Sequence, residues 1–191
     1  DFAHIGNIRA YVFADLARRY LAFKGFDVLQ TMNLTDVDDK TIKKSIQEKA
    51  PLKEVTERYS RAFFDDVKAM NILPASIYTN ATDHIKEMVE IIKTLLEKGV
   101  AYKGEDGSIY YKISKFPDYG KFANIDLKGL KAGARVKQDE YTKEQAQDFV
   151  LWKAWDKDDG DVFWETELGK GRPGWHIECS AMSMRYLGHT F

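Results

Sequence analysis

The 191-residue chain has very little cysteine and no long apolar run. A single cysteine, Cys179, cannot form a disulfide within the chain, which suits a reducing compartment. No apolar stretch approaches the ~18 residues typical of a membrane span, and no signal peptide is visible. We therefore expect a cytoplasmic protein that has no membrane partner.

Neither sign of charge is in excess, since 29 basic residues meet 30 acidic ones. This balance excludes a basic nucleic-acid arm or an acidic tail, although it leaves room for a local basic patch. Hydrophobic residues make up 44% of the chain and aromatic residues 13%, which is too much for a disordered protein. Composition predicts a globular protein with a real core and indicates no function.

The apolar periodicity predicts helices alternating with short strands. Ile8, Val12, Leu16 and Leu21 fall near one helical stripe, and the strand expected at 26–34 makes this helix half of a βαβ unit. Further helices are expected at 37–50, 52–70, 82–98 and 177–187, and strands at 77–79, 100–102, 109–111, 149–152 and 162–164. Because both ends look cut through a domain, we expect a fragment.

The segment from His4 to Asn7 has two interpretations. The first N–H groups of a helix lack internal partners and attract anions, and Gly6 lets a phosphate or flat ring come close to the backbone. His4 and Asn7 could then bind phosphate oxygens and stabilise charge in a transition state. The alternative is a plain helix start with Asn7 as its N-cap.

The second segment, 33–40, follows a predicted strand and therefore lies at the edge of the sheet where open α/β folds bind ligands. Its three carboxylates could receive a ligand's ammonium group or hold Lys40 and the loop in place. They could equally be an acidic first turn of a helix.

The third segment, 169–187, is expected to be a Gly/Pro-rich loop that leads through Trp175 and His176 into a helix carrying Cys179. A thiolate near a helix start is expected to have a lowered pKa and to be a good soft ligand for zinc. One cysteine is not a metal site, so a buried structural thiol stays open as the alternative. The string 112–115, which looks like a Lys-Met-Ser-Lys-Ser loop of ATP-using enzymes, is interpreted as coincidence.

Taken together, the blocks DFAHIGN, NLTDVDDK and GRPGWHIECSAM resemble the cysteinyl-tRNA synthetases of class I, with smaller similarities at EKGVAY, GARV and DFVLWK. The resemblance implies an α/β fold: a Rossmann-like catalytic domain, with a parallel sheet and flanking helices. It also implies that this domain is incomplete and interrupted by a mixed α+β connective insertion. The expected division is 1–99 for the first part of the catalytic domain, 100–168 for the insertion and 169–191 for the return.

The resemblance also implies residue roles. His4 and Asn7 would be catalytic and would bind ATP together with Gly6, while Thr35 and Trp175 would contact substrate cysteine. Cys179 would be one ligand of an active-site zinc whose other ligands lie outside this chain. Cofactors and partners would be Zn²⁺, ATP with Mg²⁺, L-cysteine and tRNA(Cys), in a monomer.

The implied reaction is formation of cysteinyl-adenylate from cysteine and ATP, followed by transfer to tRNA(Cys) in protein synthesis. We expect the fragment alone to be inactive. Two alternatives stay open: a cysteine ligase of mycothiol synthesis, which joins cysteine to an aminosugar, and a non-catalytic synthetase paralogue that acts as a binding module. Intact blocks around His4, Thr35 and Cys179 argue against the binding module.

Overall fold

A computed structural model describes residues 2–122 and 148–190, and the chain divides into two compact units. Unit 1 comprises Asp1–Asp83 and Ser183–Phe191, and unit 2 comprises His84–Met182. The predicted boundaries at 99/100 and 168/169 mark where an insertion would interrupt the catalytic domain. The two compact units do not test such an insertion, so these boundaries stay a prediction. Block GARV at 133–136 lies outside the described residues.

Unit 1 is built on a parallel pair of strands. Its elements are α1 (Ile5–Phe23), β1 (Thr31–Leu34), α2 (Asp39–Glu48), α3 (Leu52–Ala69) and β2 (Ile77–Asn80), followed by a 3₁₀ turn at Ala81–His84. Strand β1 pairs with β2 in register from Thr31 opposite Ile77 to Leu34 opposite Asn80. Helices α2 and α3 form the crossover between these strands, which is the connection that parallel strands need.

The predicted elements of unit 1 are present, with two corrections. The strand expected at 26–34 is wrong over its first half, because pairing with β2 begins only at Thr31. The stripe on α1 is helical as predicted, but only Ile8 is buried, whereas Leu16 is 63% exposed. The described core of this unit instead centres on Val37, Ile42 and Val55.

Unit 2 is an antiparallel sheet with a helix before it and another after it. Its elements are α4 (Ile85–Glu97), β3 (Ala101–Lys103), β4 (Ile109–Tyr111), a 3₁₀ turn (Ile113–Lys115), β5 (Phe149–Ala154), a second 3₁₀ turn (Lys157–Asp159), β6 (Trp164–Thr166) and β7 (Gly169–Pro173). The final helix, α5 (Trp175–Leu187), belongs to unit 2 as far as Met182, and its last residues are counted with unit 1. The order across the sheet is β3-β4-β5-β7-β6. Tyr110 and Trp152 are fully buried in it.

The loop expected ahead of Trp175 is wrong, because Gly169–Pro173 is strand β7, paired with both β5 and β6. A Cβ at Gly171 would collide with the Lys153 carbonyl oxygen and the Trp152 indole nitrogen. The glycine is therefore present for close strand packing and not for a turn. No described helix is long and apolar enough to cross a bilayer.

Candidate active site

The start of α1 brings His4, Gly6 and Asn7 together. His4 is the N-cap: its Nδ1 accepts the Gly6 N–H at 3.1 Å, and its own backbone N–H donates to Asn7 Oδ1 at 3.2 Å. Asn7 is thus the third helical residue of a capping box, and the alternative that made it the N-cap is wrong. All three residues are exposed, at the positive end of a 19-residue helix.

Gly6 has a specific steric role at this helix start. A Cβ added to it would lie 2.9 Å from Cε1 and 3.0 Å from Nδ1 of the His4 ring. Real Cβ atoms do not come so close, so a side chain here would push the imidazole away from its capping position. The glycine therefore lets the histidine fold over the first turn.

Thr35 directly follows β1 and is half-buried. Its neighbour Asp36 reaches the segment that follows β2: Oδ1 accepts the Thr82 backbone N–H at 3.0 Å, and Oδ2 accepts the Thr82 hydroxyl at 2.6 Å. These two bonds join the carboxyl ends of the two parallel strands. The position of Thr35 is thus fixed by the neighbouring Asp36 carboxylate, whose partner is 46 residues away. The sequence around Thr35 does not predict this contact.

A second carboxylate of the same segment has a local task. Asp38 is the N-cap of α2, where its Oδ1 accepts the Thr41 N–H at 2.6 Å and its backbone N–H donates to Thr41 Oγ1 at 2.8 Å. Of the interpretations offered for the acidic run, the helix cap holds for Asp38 and the loop anchor for Asp36. Lys40 is exposed in the first turn of α2.

Trp175 and Cys179 lie one turn apart at the start of α5. Residues four apart face the same side of a helix, and both side chains are exposed, whereas Ile177 and Glu178 between them are buried. The exposed fraction of Trp175 is 57%, which is high for so large an aromatic residue. The alternative of a buried structural thiol is therefore wrong, since Cys179 is exposed.

The expected low pKa of this thiol is wrong for the metal-free chain. Desolvation raises the pKa of Cys179 above its ordinary value of 9.0, and the neighbouring Glu178 carboxylate raises it further. A backbone hydrogen bond opposes the shift without reversing it. The thiol is thus the resting form at neutral pH.

Zinc needs about four protein or substrate ligands. Over the described ranges 2–122 and 148–190, no group of three His, Cys, Asp or Glu side chains is placed to hold a metal ion. The exposed Cys179 can supply one soft ligand. The described residues alone therefore do not make a zinc site.

The predicted site residues fall into two sets. His4, Gly6, Asn7 and Thr35 belong to unit 1, and Trp175 and Cys179 belong to unit 2. Within each set the residues sit at the start of a helix or the end of a parallel strand, where backbone N–H groups or loops are available to a ligand.

The sequence of the chain matches a known protein family. Residues 1–191 match the family described as tRNA synthetases class I (C) catalytic domain. The chain belongs to this family. The α/β fold with a parallel strand pair and flanking helices is accordingly that of a class I synthetase catalytic domain, present in part.

Curated members of the family are similar to this chain over almost all of its length. A cysteine–tRNA ligase of Brachyspira hyodysenteriae is 56% identical over 193 residues, which covers 100% of this chain and 40% of that protein. One of Protochlamydia amoebophila is 56% identical over 192 residues, with 99% and 40% covered. One of Chlamydia pneumoniae is 49% identical over 191 residues, with 100% and 40% covered. The chain thus spans 40% of the length of these relatives.

Proposed function

We propose that the protein containing this chain activates cysteine with ATP and transfers it to tRNA(Cys) for protein synthesis. One observation carries the proposal: residues 1–191 match the class I (C) catalytic domain throughout, and the relatives that share 49–56% of its residues are named cysteine–tRNA ligase. We further propose that the protein is cytoplasmic and monomeric. The division into catalytic segments 1–99 and 169–191 with an insertion at 100–168 belongs to the same proposal.

His4 and Asn7 are the residues that we assign to ATP, with Gly6 between them. Because His4 Nδ1 accepts a hydrogen bond from the Gly6 N–H, the proton of the neutral ring is on Nε2, which can donate to a phosphate oxygen. The positive end of α1 adds its field to this donor. Mg²⁺ on the nucleotide would neutralise further phosphate charge.

Thr35 and Trp175 are assigned to the cysteine substrate. The Thr35 hydroxyl, at the end of β1, would contact the amino group, and the exposed indole of Trp175 would pack against the substrate's body. The two hydrogen bonds between Asp36 and Thr82 support the first assignment, because they hold the loop of Thr35 without using its own side chain.

The reaction then needs no covalent attachment to the protein. A carboxylate oxygen of cysteine attacks the α-phosphorus of ATP, forming an acyl phosphate bond while the bond to the bridging oxygen breaks and pyrophosphate leaves. A ribose hydroxyl of the terminal adenosine then attacks the acyl carbon, loses its proton and releases AMP. Positioning and charge stabilisation at the start of α1 supply the catalysis.

Cys179 is proposed as one zinc ligand in the whole protein, with its other ligands outside this chain. A shape-only pocket separates near-isosteres such as cysteine and serine by only about 10–200-fold. A metal that favours soft thiolate over hydroxyl widens that selectivity. The exposure of Cys179 beside Trp175 on α5 supports this assignment.

Cysteine-dependent exchange of pyrophosphate into ATP by the full-length protein tests the proposal, followed by charging of tRNA(Cys). His4→Ala should lower the exchange rate by about 10²–10³-fold, the usual effect of losing one charge-stabilising donor. His189→Ala, which removes an exposed histidine elsewhere, should leave it unchanged. Exchange without tRNA charging, but with an aminosugar as acceptor, would favour the mycothiol-type ligase. Absence of exchange would favour a binding paralogue.

A further inference from the structure

Three charged side chains are buried together in the antiparallel sheet of unit 2, and the proposed chemistry uses none of them. Lys153 of β5 is 9% exposed, Arg172 of β7 is 3% exposed, and Asp159 in the 3₁₀ turn after β5 is 2% exposed. Charged residues are almost never buried so far unless they are paired. We call these three residues the buried charge cluster.

The Asp159 carboxylate joins the members of the cluster. Its Oδ1 accepts the Arg172 Nε–H at 2.9 Å and lies 3.3 Å from Lys153 Nζ, while its Oδ2 accepts the Asp156 backbone N–H at 3.2 Å. Lys153 also pairs with Asp156 Oδ2 at 2.9 Å. Negative charge is needed here because Lys153 and Arg172 are directly opposite each other across β5 and β7, where two like charges repel.

A buried charge cluster is a poor source of stability. Moving charges out of water costs much of what their attraction returns, and well-packed apolar side chains of similar volume often stabilise a fold as much or more. An ion pair does offer a specific partner, which apolar packing does not. Arg172 is suited to this task, because its planar guanidinium group donates hydrogen bonds in fixed directions.

Strand β7 needs such a partner because its sequence specifies its register weakly. Its five residues, Gly-Lys-Gly-Arg-Pro, include no branched aliphatic or aromatic side chain, and glycine-rich strands are prone to slip along their neighbours. A slip by one residue would turn every side chain of β7 to the opposite face of the sheet. Arg172 would then point away from Asp159, so the ion pair disfavours that register.

The close packing of glycine does not exclude a slip by two residues. Gly171 lies against a backbone carbonyl oxygen of β5, which a Cβ would meet at 2.2 Å, and a two-residue slip would bring Gly169 to the same place. Side chains would keep their faces, but Lys170 would take the place of Arg172. In the observed register the Lys170 ammonium group instead lies 3.7 Å from the Trp155 ring centroid. The ion pair of Arg172 therefore distinguishes the two registers.

We propose that Arg172 and Asp159 are positioning residues, which fix the register of β7 and through it the position of Trp175. The inference rests on the proposed function, in which the Trp175 indole packs against substrate cysteine. The link from Arg172 to Trp175 is short and tied to β5, since the Gly174 N–H donates to the Leu151 carbonyl at 2.9 Å. A slip of β7 would displace Trp175 by about 3.4 Å for each residue.

Cysteine-dependent pyrophosphate exchange by the full-length protein tests the positioning role. Asp159→Asn removes the charge that holds Arg172, and it should raise the KM for cysteine about tenfold, the loss expected for one displaced aromatic contact. The KM for ATP should not change. As the matched control, Glu165→Gln neutralises an exposed carboxylate of the adjoining strand β6 and should leave both KM values unaltered.

A double-mutant cycle shows whether the pair acts through Trp175. Trp175→Ala should itself raise the KM for cysteine, and adding Asp159→Asn should raise it no further, because no indole is left to position. Additive increases would overturn the inference. Arg172→Lys covers the case in which Asp159→Asn does not fold. It keeps both charges but lacks the planar guanidinium group, so the KM for cysteine should still rise. If that KM rises in neither variant, the inference is wrong.

Hydrogen–deuterium exchange followed by mass spectrometry tests the effect on β7 independently of activity. Asp159→Asn should speed exchange of a peptide covering 169–175 about tenfold, the change expected for the loss of one charge-assisted hydrogen bond, and leave the β3–β4 hairpin as in the parent. Equal effects on both peptides, or none on 169–175, would overturn the inference. If the parent lacks cysteine-dependent pyrophosphate exchange, the proposed function fails, and the peptide data alone decide whether the pair fixes β7.

Discussion

Among single residues, Gly6 allows the stability of helix α1 and the position of the His4 ring to be changed separately. Alanine favours a helix over glycine by up to about 1 kcal/mol, so Gly6→Ala should not unfold α1. The new Cβ would nevertheless meet the His4 ring at 2.9 Å and displace it. We predict that pyrophosphate exchange by the full-length protein falls about 100-fold, the usual effect of misplacing a group by an ångström.

Circular dichroism and thermal unfolding of Gly6→Ala supply the control, because helix content and melting temperature should match the parent. Ile5→Ala changes an exposed neighbour and should leave exchange unaltered. Full exchange activity in Gly6→Ala would show that the capping position of His4 has no part in catalysis.

The carboxylates of the 33–40 segment show what sequence can and cannot predict at this scale. The cap by Asp38 is readable, since an aspartate ahead of an apolar-periodic run is typical of a helix start. The bond from Asp36 to Thr82 is not, because it depends on which strands become neighbours. Likewise the raised pKa of Cys179 follows from partial desolvation of this exposed thiol and from the Glu178 charge, neither of which the spacing from the helix start reveals.

The two hydrogen bonds between Asp36 and Thr82 should contribute measurably to stability. Asp36→Ala and Thr82→Val each remove the hydroxyl bond, and a hydrogen bond to a charged group contributes about 1.5–3 kcal/mol. A double-mutant cycle on the free energy of unfolding should therefore give a coupling of about 1.5 kcal/mol. In the full-length protein, Asp36→Ala should also raise the KM for cysteine, because Thr35 loses its support. A coupling near zero would contradict the geometry.

At the scale of elements, the helix α1 is fastened to the loop ahead of β2 by charged side chains. Asp15 accepts the Arg19 Nε–H at 2.7 Å and the Leu73 N–H at 3.0 Å, and Arg19 also donates to the Asn71 carbonyl at 2.7 Å. Arg18 adds bonds to Gln30 and to the Pro74 carbonyl. This attachment explains how α1 holds its place although little of its apolar stripe is buried.

The attachment of α1 is predicted to weaken in acid. Burial favours the neutral form of Asp15, but the hydrogen bonds from Arg19 and Leu73 and the charges of Arg19 and Arg18 outweigh it, so the pKa lies below its ordinary value of 3.8. A lowered folded-state pKa means stability that is complete above about pH 4 and is lost as pH falls through the folded value. Urea midpoints should therefore decline below pH 4.

Asp15→Asn tests this origin of the acid sensitivity. The variant should be less stable than the parent at pH 7, and the difference should shrink as the parent loses its own carboxylate in acid. The matched control is Asp65→Asn, which removes an exposed carboxylate of α3 and should change the stability at pH 7 little. If the stability difference between Asp15→Asn and the parent protein stays the same down to pH 2, the Asp15 carboxylate is not the origin of the acid sensitivity.

Helices and strands could be predicted from the sequence where interactions between nearby residues determine them. The β3–β4 hairpin could be predicted because Asp106 and Gly107 form its turn. Gly107 has φ +83°, and the Asp106 carboxylate accepts the Ser108 N–H at 3.1 Å. Strand β7 could not, because its glycines resemble a loop until β5 is placed beside it. Tertiary pairing overrides local propensity there.

Across the whole molecule, each compact unit has its own sheet and carries some of the residues proposed for cysteine activation. Unit 1 carries the ATP residues at the start of α1, and unit 2 carries Trp175 and Cys179 on α5. The match to a catalytic domain over residues 1–191 covers both units. Neither unit by itself therefore contains the full set of residues proposed for cysteine activation.

The 191-residue chain by itself is expected to hold no zinc and to have no activity. The chain has one cysteine and four histidines, and its described residues bring no three donor side chains together for a metal. Because zinc needs about four ligands and the described residues supply no group of three, the isolated chain should not retain an equivalent of zinc after dialysis. We also expect no cysteine-dependent pyrophosphate exchange from it. Atomic absorption and the exchange assay measure both, with the full-length protein as the positive control and its Cys179→Ser variant expected to lose zinc. Stoichiometric zinc or measurable exchange in the isolated chain would mean that these residues assemble a complete site without the remaining length of the relatives.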